Sequence, residues 1–267
     1  MTVVVPMAGR GSRFADNVHL NPEYKKPKPL INIKGKPMVL WAIESLPFVH
    51  LPHRPSQTDL KVHPSNLIFI CRKDHQEEFG IVEQLKKIFT KDIKTILLDS
   101  ITRGASETAL KAKHFIDQDD DILISDSDHH FDATELHQAI INKHPDTVGI
   151  IPVFPPPYEE IKWSYTLFDK NFIAQAVAEK DPDLAKRGAY ANIGGYYFSK
   201  GSIFVKEAEQ MIEENDMYGP EGKQEFYLAP IYNRLIKKGM RVAVAVIPQV
   251  WGLGTPKDVE YFENNFN

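Results

Sequence analysis

The sequence predicts an α/β fold in which a mixed, mostly parallel sheet is flanked by helices. Continuous apolar segments rich in β-branched residues alternate with segments whose apolar residues recur at helical spacing. Strands without polar alternation are buried on both faces, so helices must cover each side of the sheet. After residue 155 the pattern changes to polar–apolar alternation, which is typical of antiparallel strands. We therefore expect a small antiparallel lobe beside a parallel core.

The predicted elements follow in chain order. Core strands are predicted at 2–6, 66–71, 94–99, 121–126 and 147–154, and core helices at 36–46, 74–89, 106–116 and 132–143. Three consecutive prolines in "PVFPPPYEEIKW" (152–163) then interrupt the pattern. Lobe strands are predicted within 164–169, 171–180 and 192–198, followed by helices at 202–215 and 224–238, a strand at 241–247 and a last helix from Lys257. The prediction is one domain over 1–267, with a core (1–154), a lobe (155–200) and a return to the core (201–267).

Composition excludes several classes of protein. The 267 residues are 42% hydrophobic and 25% charged, which is ordinary for a globular protein. The net charge of -4 does not suit a general nucleic-acid binder. Cys71 is the one cysteine, so we expect a buried thiol in a reduced, cytoplasmic protein. The N-terminus lacks the basic region of a signal peptide, and no apolar run reaches the ~20 residues of a membrane span.

The loop "PMAGRGSRF" (6–14) follows the first strand directly. Gly9 and Gly11 lack Cβ, so the backbone can approach a ligand closely, and exposed backbone N–H groups at such a turn bind anions. Arg10 and Arg13 can add charge-assisted hydrogen bonds to phosphate. The loop is not a dinucleotide fingerprint, since Phe14 stands where the third glycine belongs, and it is not a P-loop. A tight turn without a ligand is the alternative.

A second segment, "EYKKPKPLINIKGKPMV" (23–39), interleaves lysines with prolines. Proline prevents a helix and stiffens the chain, so the segment can hold a lysine rigidly across a cleft from a phosphate. The alternative is a solvated basic loop. Neither segment is specific by itself.

Together the two segments resemble the start of the sugar-phosphate nucleotidylyltransferases, also called nucleotide-sugar pyrophosphorylases, whose signature is G-x-G-[ST]-R followed by P-K-P-L. The resemblance continues through most of the chain. It includes "RGASETALKAKHFI" (103–116), "ISDSDHHF" (124–131), "VAEK" (177–180), "GKQEFYLAPIYNRLIKKG" (222–239) and "WGLGTPKDVEYF" (251–262). It implies a Rossmann-like fold of the nucleotide-diphospho-sugar transferase type, in which 1–154 bind the nucleotide and the lobe at 155–200 binds the second substrate.

The resemblance also implies a reaction, in which a nucleoside triphosphate and a sugar 1-phosphate give a nucleotide-sugar and pyrophosphate. Arg13 and Lys28 would be catalytic, Arg13 at the leaving pyrophosphate and Lys28 at the α-phosphate. Glu179 would bind hydroxyls of the second substrate and Lys180 its phosphate. The implied nucleotide-binding residues are Ala8, Gly9, Gly11, Ser12, Arg13 and Gly104, with Gly104 leaving room for the base.

Asp128 is the first candidate metal ligand, and Asp126 the second. Carboxylates at the end of a strand beside a triphosphate suit Mg²⁺, the expected cofactor. A polar turn that caps the next helix is the alternative for "DSD", and His129 and His130 suit zinc better than magnesium. The chain departs from the family at Gly252, where relatives carry a second metal aspartate. Either Asp126 substitutes, or fewer protein groups hold the metal, or the activity is altered.

Three other functions stay open at the level of sequence. The first is a cytidylyltransferase for a non-sugar phosphate, and the second is a glycosyltransferase that holds its metal with the aspartate pair. The third is a non-catalytic nucleotide-binding regulator. The joint G-x-G-S-R and P-K-P signature favours nucleotidyl transfer, because a glycosyltransferase expels no pyrophosphate. The base, the acceptor and a homo-oligomeric state are left open by the sequence.

Overall fold

The computed structural model describes residues 1–156, 162–219 and 221–266, so part of the predicted proline-rich boundary at 152–163 lies outside the described residues. The strands are β1 Thr2–Pro6, β2 Asn32–Ile33, β3 Lys36–Pro37, β4 Leu67–Arg72, β5 Lys94–Leu98, β6 Ile122–Ser125, β7 His129–Phe131, β8 Thr147–Phe154, β9 Ser164–Phe168, β10 Ala174–Glu179, β11 Tyr190–Asn192, β12 Gly195–Phe198, β13 Arg241–Val246 and β14 Val250–Gly252. The helices are α1 Ser12–Ala15, α2 Met38–Glu44, α3 Lys73–Phe79, α4 Ile81–Ile88, α5 Ala105–Leu110, α6 Thr134–Ile141, α7 Pro182–Lys186, α8 Gly201–Glu213, α9 Ala229–Lys237 and α10 Pro256–Asn265. No helix in this part of the chain is long and apolar enough to cross a membrane.

One sheet of ten strands runs through the described residues. Its order is β10-β9-β11-β8-β12-β6-β1-β4-β5, and β13 pairs with β8. The pairings give β1, β4, β5, β6, β8, β9 and β13 a common direction, while β10, β11 and β12 run against them. The predicted mixed, mostly parallel sheet with an antiparallel part is therefore confirmed.

Glycines account for two differences from the predicted elements. The helix predicted over 74–89 is two helices, α3 and α4, because Gly80 adopts the left-handed conformation with φ 58° between them. The strand predicted over 192–198 is likewise two strands, β11 and β12. Both pair with β8, but the other neighbour of β11 is β9 and that of β12 is β6. Between β11 and β12 the backbone carbonyl of Gly194 accepts a hydrogen bond of 2.7 Å from Asp126 N–H.

Both faces of the sheet are buried, as the continuous apolar strands predict. In β1, Val3 and Val5 pack in one apolar cluster with Phe69 and Phe89. Val4 faces the opposite side of the sheet, where its cluster includes Ile68 and residues of α5. This alternation within an entirely apolar strand is possible only with helices on both sides. A third apolar cluster joins α1, α2 and α10 around Phe14, Trp41 and Phe262.

The strand register brings the lobe to the functional edge of the sheet. The carboxyl ends of β1, β4, β5 and β6 meet at one edge, where ligands of open α/β sheets bind. Phe154 at the end of β8 is level with Ala191, which is level with Tyr165 at the start of β9. Because β10 returns antiparallel to β9, Glu179 lies opposite Ser164 at that same level. Glu179 and Lys180 are thereby carried to the carboxyl edge.

Candidate active site

A cleft of about 1220 Å³ opens at the carboxyl edge of the sheet. Most of its walls come from six segments that are far apart in sequence: the glycine loop, the lysine–proline segment, the end of β4 with α3, the loop after β5, the residues after β6 and the segment before α9. The lining residues lie within 6–15, 24–29, 72–79, 101–105, 126–128 and 222–228. The two motifs that carried the sequence resemblance therefore line one cavity.

The glycine loop turns into α1 at Gly11, which has φ 65°. The carbonyl of Gly11 accepts the backbone N–H groups of Phe14 and Ala15 at 3.0 and 3.2 Å. A Cβ added at Gly11 would lie 3.8 Å from the Cβ of Lys28, so the loop packs directly against the lysine–proline segment. Phe14 is buried and meets Tyr24 edge to face at 5.0 Å, which fixes α1 on the cluster beneath it.

Arg13, Lys28 and Asp128 converge beside this loop. Lys28 begins a short 3₁₀ turn between two prolines and forms an ion pair with the carboxylate of Asp128. A Cβ at Gly254 would lie 3.1 Å from Asp128 Oδ2 and 3.8 Å from a guanidinium nitrogen of Arg13. Because Gly254 has no side chain, the carboxylate of Asp128 and the guanidinium of Arg13 can both lie close to it.

The two aspartates after β6 ionise differently. Burial, reinforced by the charge of Asp128, raises the pKa of Asp126 to about 8. Burial would also raise the pKa of Asp128, but the charge and hydrogen bond of Lys28 outweigh it and lower that pKa. Asp126 is packed on Gly194, where a Cβ would lie 2.1 Å from Oδ2. Asp128 is therefore a fixed anion, whereas for Asp126 the charge of Lys28 does not offset the effect of burial.

These carboxylates fit a hard cation. Mg²⁺ prefers oxygen ligands and is usually bound by one or two carboxylates together with substrate phosphates and water. Among the described residues, no group of three or more His, Cys, Asp or Glu side chains is arranged to hold a metal. At Gly252, the nearest atoms to an added Cβ belong to Asp258, 3.7 to 3.9 Å away.

The neighbouring histidines belong to the supporting structure. His129 is buried, and burial lowers its pKa to about 4, so the ring is neutral. His130 Nδ1 lies 3.0 Å from the carbonyl of Trp41 and 3.2 Å from the hydroxyl of Ser45. Among the described residues that line the cleft, neither histidine is found.

Glu179 and Lys180 do not line the cleft themselves, but Lys180 contacts Tyr227, which does. Lys180 Nζ donates to the hydroxyl of Tyr227 at 3.2 Å, lies 5.0 Å from the centre of that ring and is 3.8 Å from Glu179 Oε1. Lys180 has φ 51°, the left-handed region that a side chain with a Cβ rarely occupies. Burial raises the pKa of Glu179 to about 7, with Glu225 adding to it and Lys180 opposing it.

Two polar residues that line the cleft, Tyr196 and Tyr227, and one buried polar residue nearby in the sheet, Asn192, were not predicted. Tyr196 lines the cleft, and burial together with Asp126 and Glu179 raises its pKa well above the usual value. Tyr227 contacts Lys180, as described above. Asn192 is buried on β11, where its side-chain oxygen accepts from Thr166 at 2.6 Å and its Nδ2 has no partner among the described residues. The sequence signal for Asn192 is a polar residue inside the otherwise apolar segment "AYANIGGYYF".

The structure shows a requirement for glycine at position 104 that the sequence did not reveal. A Cβ there would lie 2.5 Å from the backbone nitrogen of Phe226, so the segment before α9 occupies the space of a side chain. Gly104 also has φ 149°, which disfavours other residues. Its predicted contact with the base is compatible with this packing and stays a prediction.

Comparison with known proteins agrees with this geometry. The profile of the Nucleotidyl transferase family matches residues 23–230. The chain belongs to the nucleotidyl transferase family. It is therefore an enzyme, and the resemblance inferred from the glycine loop and the lysine–proline segment is confirmed. No curated protein matches the chain significantly.

Solved structures of nucleotidyltransferases share the fold at low sequence identity. A nucleoside-diphosphate-sugar pyrophosphorylase from Vibrio cholerae RC9 superposes with a TM-score of 0.72 at 22% identity, covering 99% of this chain and 100% of that one. A Bacillus anthracis protein assigned as a glucose-1-phosphate thymidylyltransferase gives 0.69 at 16% identity, over 100% and 96% of the chains. The inositol-1-phosphate CTP transferase of T. maritima gives 0.67 at 10% identity, over 96% and 90%. The Rossmann-like fold is thus common to enzymes named for sugar and for non-sugar acceptors.

Proposed function

We propose that this nucleotidyltransferase transfers the nucleotidyl group of a nucleoside triphosphate to a sugar 1-phosphate or a similar phosphorylated small molecule. The products are a nucleoside diphosphate derivative, such as an NDP-sugar, and pyrophosphate. The observation that carries the proposal is the convergence of Arg13, Lys28 and Asp128 on the glycine loop, as described above. For the acceptor we propose Glu179 and Lys180, and this is supported by the contact of Lys180 with Tyr227 in the wall of the cleft.

In this reaction an oxygen of the acceptor phosphate attacks the α-phosphorus in line. A new P–O bond forms, the bond between the α-phosphorus and the bridging oxygen breaks, and pyrophosphate leaves with the electron pair. Such chemistry needs positioning and charge neutralisation more than covalent help from the protein. Lys28 would meet the charge that develops at the α-phosphate, and Arg13 the charge of the leaving pyrophosphate. Backbone N–H groups of Gly9, Gly11 and Ser12 would hold the triphosphate, with Ala8 and Gly104 beside the nucleoside.

Mg²⁺ is the cofactor we propose for the reaction, with Asp128 and Asp126 as its protein ligands. When bound, it would neutralise phosphate charge that Lys28 and Arg13 leave uncompensated. Bound Mg²⁺ would also stabilise the ionised form of Asp126, whose pKa is raised by burial. The nucleotidyl transferase family is generally dependent on divalent metals, and this supports the assignment.

The acceptor is held by Glu179 and Lys180 in this proposal. A carboxylate suits acceptor hydroxyls, and an ammonium group suits the acceptor phosphate. The similarity to the T. maritima enzyme, named for inositol 1-phosphate and CTP, keeps a non-sugar acceptor as the second candidate. Membership of the nucleotidyl transferase family argues against a glycosyltransferase. We propose that the enzyme acts in the cytoplasm, where nucleoside triphosphates are available.

The test begins with thermal melting in ATP, GTP, CTP, UTP and dTTP, each with and without Mg²⁺. A ligand that binds only the native state raises the melting temperature, so a Mg²⁺-dependent rise identifies the nucleotide. Pyrophosphate release is then measured with that nucleotide and a panel of sugar 1-phosphates, phosphorylated polyols and phosphorylated amino alcohols. Release with one acceptor class supports the proposal and names the substrate.

Lys28→Ala supplies the mechanistic control. We expect turnover to fall by about 100-fold or more while the nucleotide-induced melting shift is largely kept, because the interaction strengthens only as charge develops. Lys26→Ala is the matched variant in the same segment, since Lys26 Nζ pairs with Glu23 at 2.7 Å instead of with Asp128. Equal turnover in the two variants would remove Lys28 from the mechanism.

A further inference from the structure

The nucleotide side and the acceptor side of the cleft are joined by one set of hydrogen bonds. We call residues 102–106 the base loop and residues 224–228 the acceptor segment. Both line the cleft, and they are more than 100 residues apart in sequence. Their contacts determine how far the two sides can move independently.

The backbones of the two segments are paired in both directions. Phe226 N–H donates to the carbonyl of Arg103 at 2.9 Å, and Ser106 N–H donates to the carbonyl of Phe226 at 2.9 Å. Gly104 lies between these two bonds and leaves the space that Phe226 fills. The guanidinium carbon of Arg103 lies 4.8 Å from the centre of the Phe226 ring, which adds a cation–π contact.

One side chain extends the pairing toward the acceptor. The hydroxyl of Ser106 donates to the carbonyl of Tyr227 at 2.7 Å, and Ser106 is fully buried. Tyr227 in turn accepts from Lys180, the residue that holds the acceptor phosphate in the proposed reaction. A buried hydrogen bond whose loss would leave a carbonyl unsatisfied is costly to break, so Ser106 fixes the backbone that orients Tyr227.

We propose that the base loop and the acceptor segment form a single unit, and that Ser106 is the positioning residue through which a bound nucleotide orders Tyr227 and Lys180 for the acceptor. The inference rests on the proposed function, because that function assigns the nucleotide to one segment and the acceptor to the other. Ordering by the nucleotide lowers the cost of ordering for the second ligand, so the two substrates bind with positive coupling.

Hydrogen exchange followed by mass spectrometry on the full chain tests the unit. In the wild type, the triphosphate that slows exchange in peptides covering residues 9–15 should also slow exchange in peptides covering 224–228. Ser106→Ala should keep the protection at 9–15 but reduce the nucleotide-induced protection at 224–228, by roughly fivefold for one buried hydrogen bond. Protection at 9–15 without any at 224–228 in the wild type would overturn the proposal.

Thr108→Val is the matched control. Thr108 is also buried on α5, but its hydroxyl contacts Thr102 Oγ1 at 2.5 Å and the carbonyl of Gly104 at 3.1 Å, both in the base loop. It should leave exchange at 224–228 as in the wild type, so equal behaviour of the two variants would exclude a specific role for Ser106. A purely structural effect of Ser106→Ala would raise exchange at 9–15 and 224–228 alike.

Exchange without nucleotide separates this inference from the proposed function. If no triphosphate protects residues 9–15, the proposed function fails, and so does the role given to the nucleotide. Comparing the wild type with Ser106→Ala without nucleotide still tests whether the two segments form a single unit. If they do, Ser106→Ala should raise exchange about fivefold in peptides from both segments together. A rise in only one segment would show that the two segments open independently.

Discussion

Glu179 is a residue whose own site opposes its charge, and this has a measurable effect on stability. Burial raises its pKa from 4.5 to about 7 in the folded protein, while its carboxyl side chain is only 9% exposed. When folding raises the pKa of an acidic group, the group contributes its full stability at pH values below its pKa in the unfolded state. That stability is lost as the pH rises through its pKa in the folded state. The wild type should therefore lose this stability between about pH 4.5 and pH 7, and the loss should be complete above about pH 7.

Glu179→Gln removes that titration. We expect the variant to be more stable than the wild type at pH 8, by up to about 3 kcal/mol, and equal to it below pH 4.5, where both side chains are neutral. The measurement is the free energy of unfolding in urea at several pH values, without metal or nucleotide. The same variant should lose acceptor-dependent turnover. A variant that is less stable at pH 8 would show that the ionised carboxylate is stabilised in the fold.

Lys180 stores strain in its backbone. Because φ is 51°, glycine should be preferred over alanine here, the reverse of the usual order in regular structure. We expect Lys180→Gly to be more stable than Lys180→Ala by about 1 kcal/mol in urea unfolding, since both variants lose the same side-chain contacts. Both should lose turnover to the same extent. Equal stability of the pair would mean that the left-handed conformation at 180 costs nothing.

Some residues of this site could be predicted from the sequence, and others could not. Arg13, Lys28 and Asp128 belong to motifs that combine residue type with spacing, and the fold brings them together. Gly104 and Gly194 are required by close contacts with Phe226 and Asp126, which are distant in sequence. No local pattern encodes such a contact. The left-handed conformation of Lys180 was equally unpredictable, because in a sequence it is glycine that indicates a positive φ.

At the scale of elements, the interrupted helix 74–89 and the late start of α9 have different causes. Gly80 is visible in the sequence as a helix stop, so the break between α3 and α4 was predictable. Residues 224–228 have a helical pattern but instead make the backbone bonds to Arg103 and Ser106. Tertiary hydrogen bonding overrides local propensity there. The same holds for β12, whose position between β6 and β8 is set by pairing partners and not by its own sequence.

Helix α10 packs in the apolar cluster that also holds α1, the helix that follows the glycine loop. Phe262 is fully buried and lies 5.0 Å from Trp41, 5.7 Å from Trp251 and 4.5 Å from Phe266, measured between ring centres. It shares its cluster with Phe14, which follows Arg13 directly. The last helix therefore packs in the same apolar cluster as α1, which follows the glycine loop.

Phe262→Ala should destabilise the protein by about 3–5 kcal/mol through the cavity that it leaves, measured by urea unfolding. At temperatures where the variant is still folded, nucleotide affinity should also fall, because α1 loses its support. Tyr261→Ala is the control, since Tyr261 is 63% exposed on the same helix. We expect it to cost less than about 1 kcal/mol and to leave nucleotide affinity unchanged. Similar losses in the two variants would argue against a specific role of the cluster.

For the whole molecule, the continuity of the sheet predicts how the chain unfolds. A chain of 267 residues is long enough to divide into units that unfold separately. Here, however, β8 pairs with β13 of the core and with β11 and β12, both within 155–200. Unfolding the lobe would expose one end of a strand that the core needs, so we predict one cooperative transition over both parts.

The three tryptophans allow a direct measurement of this cooperativity. Trp163 meets Phe154 at 5.5 Å in the lobe, whereas Trp41 and Trp251 lie in the cluster around Phe262. Trp163→Phe leaves fluorescence that reports on the core, and the double variant Trp41→Phe with Trp251→Phe leaves a reporter in the lobe. In each variant the urea midpoint from fluorescence should coincide with the midpoint from far-ultraviolet circular dichroism. A Trp163 transition at lower urea would instead mean that the lobe unfolds while the core remains folded.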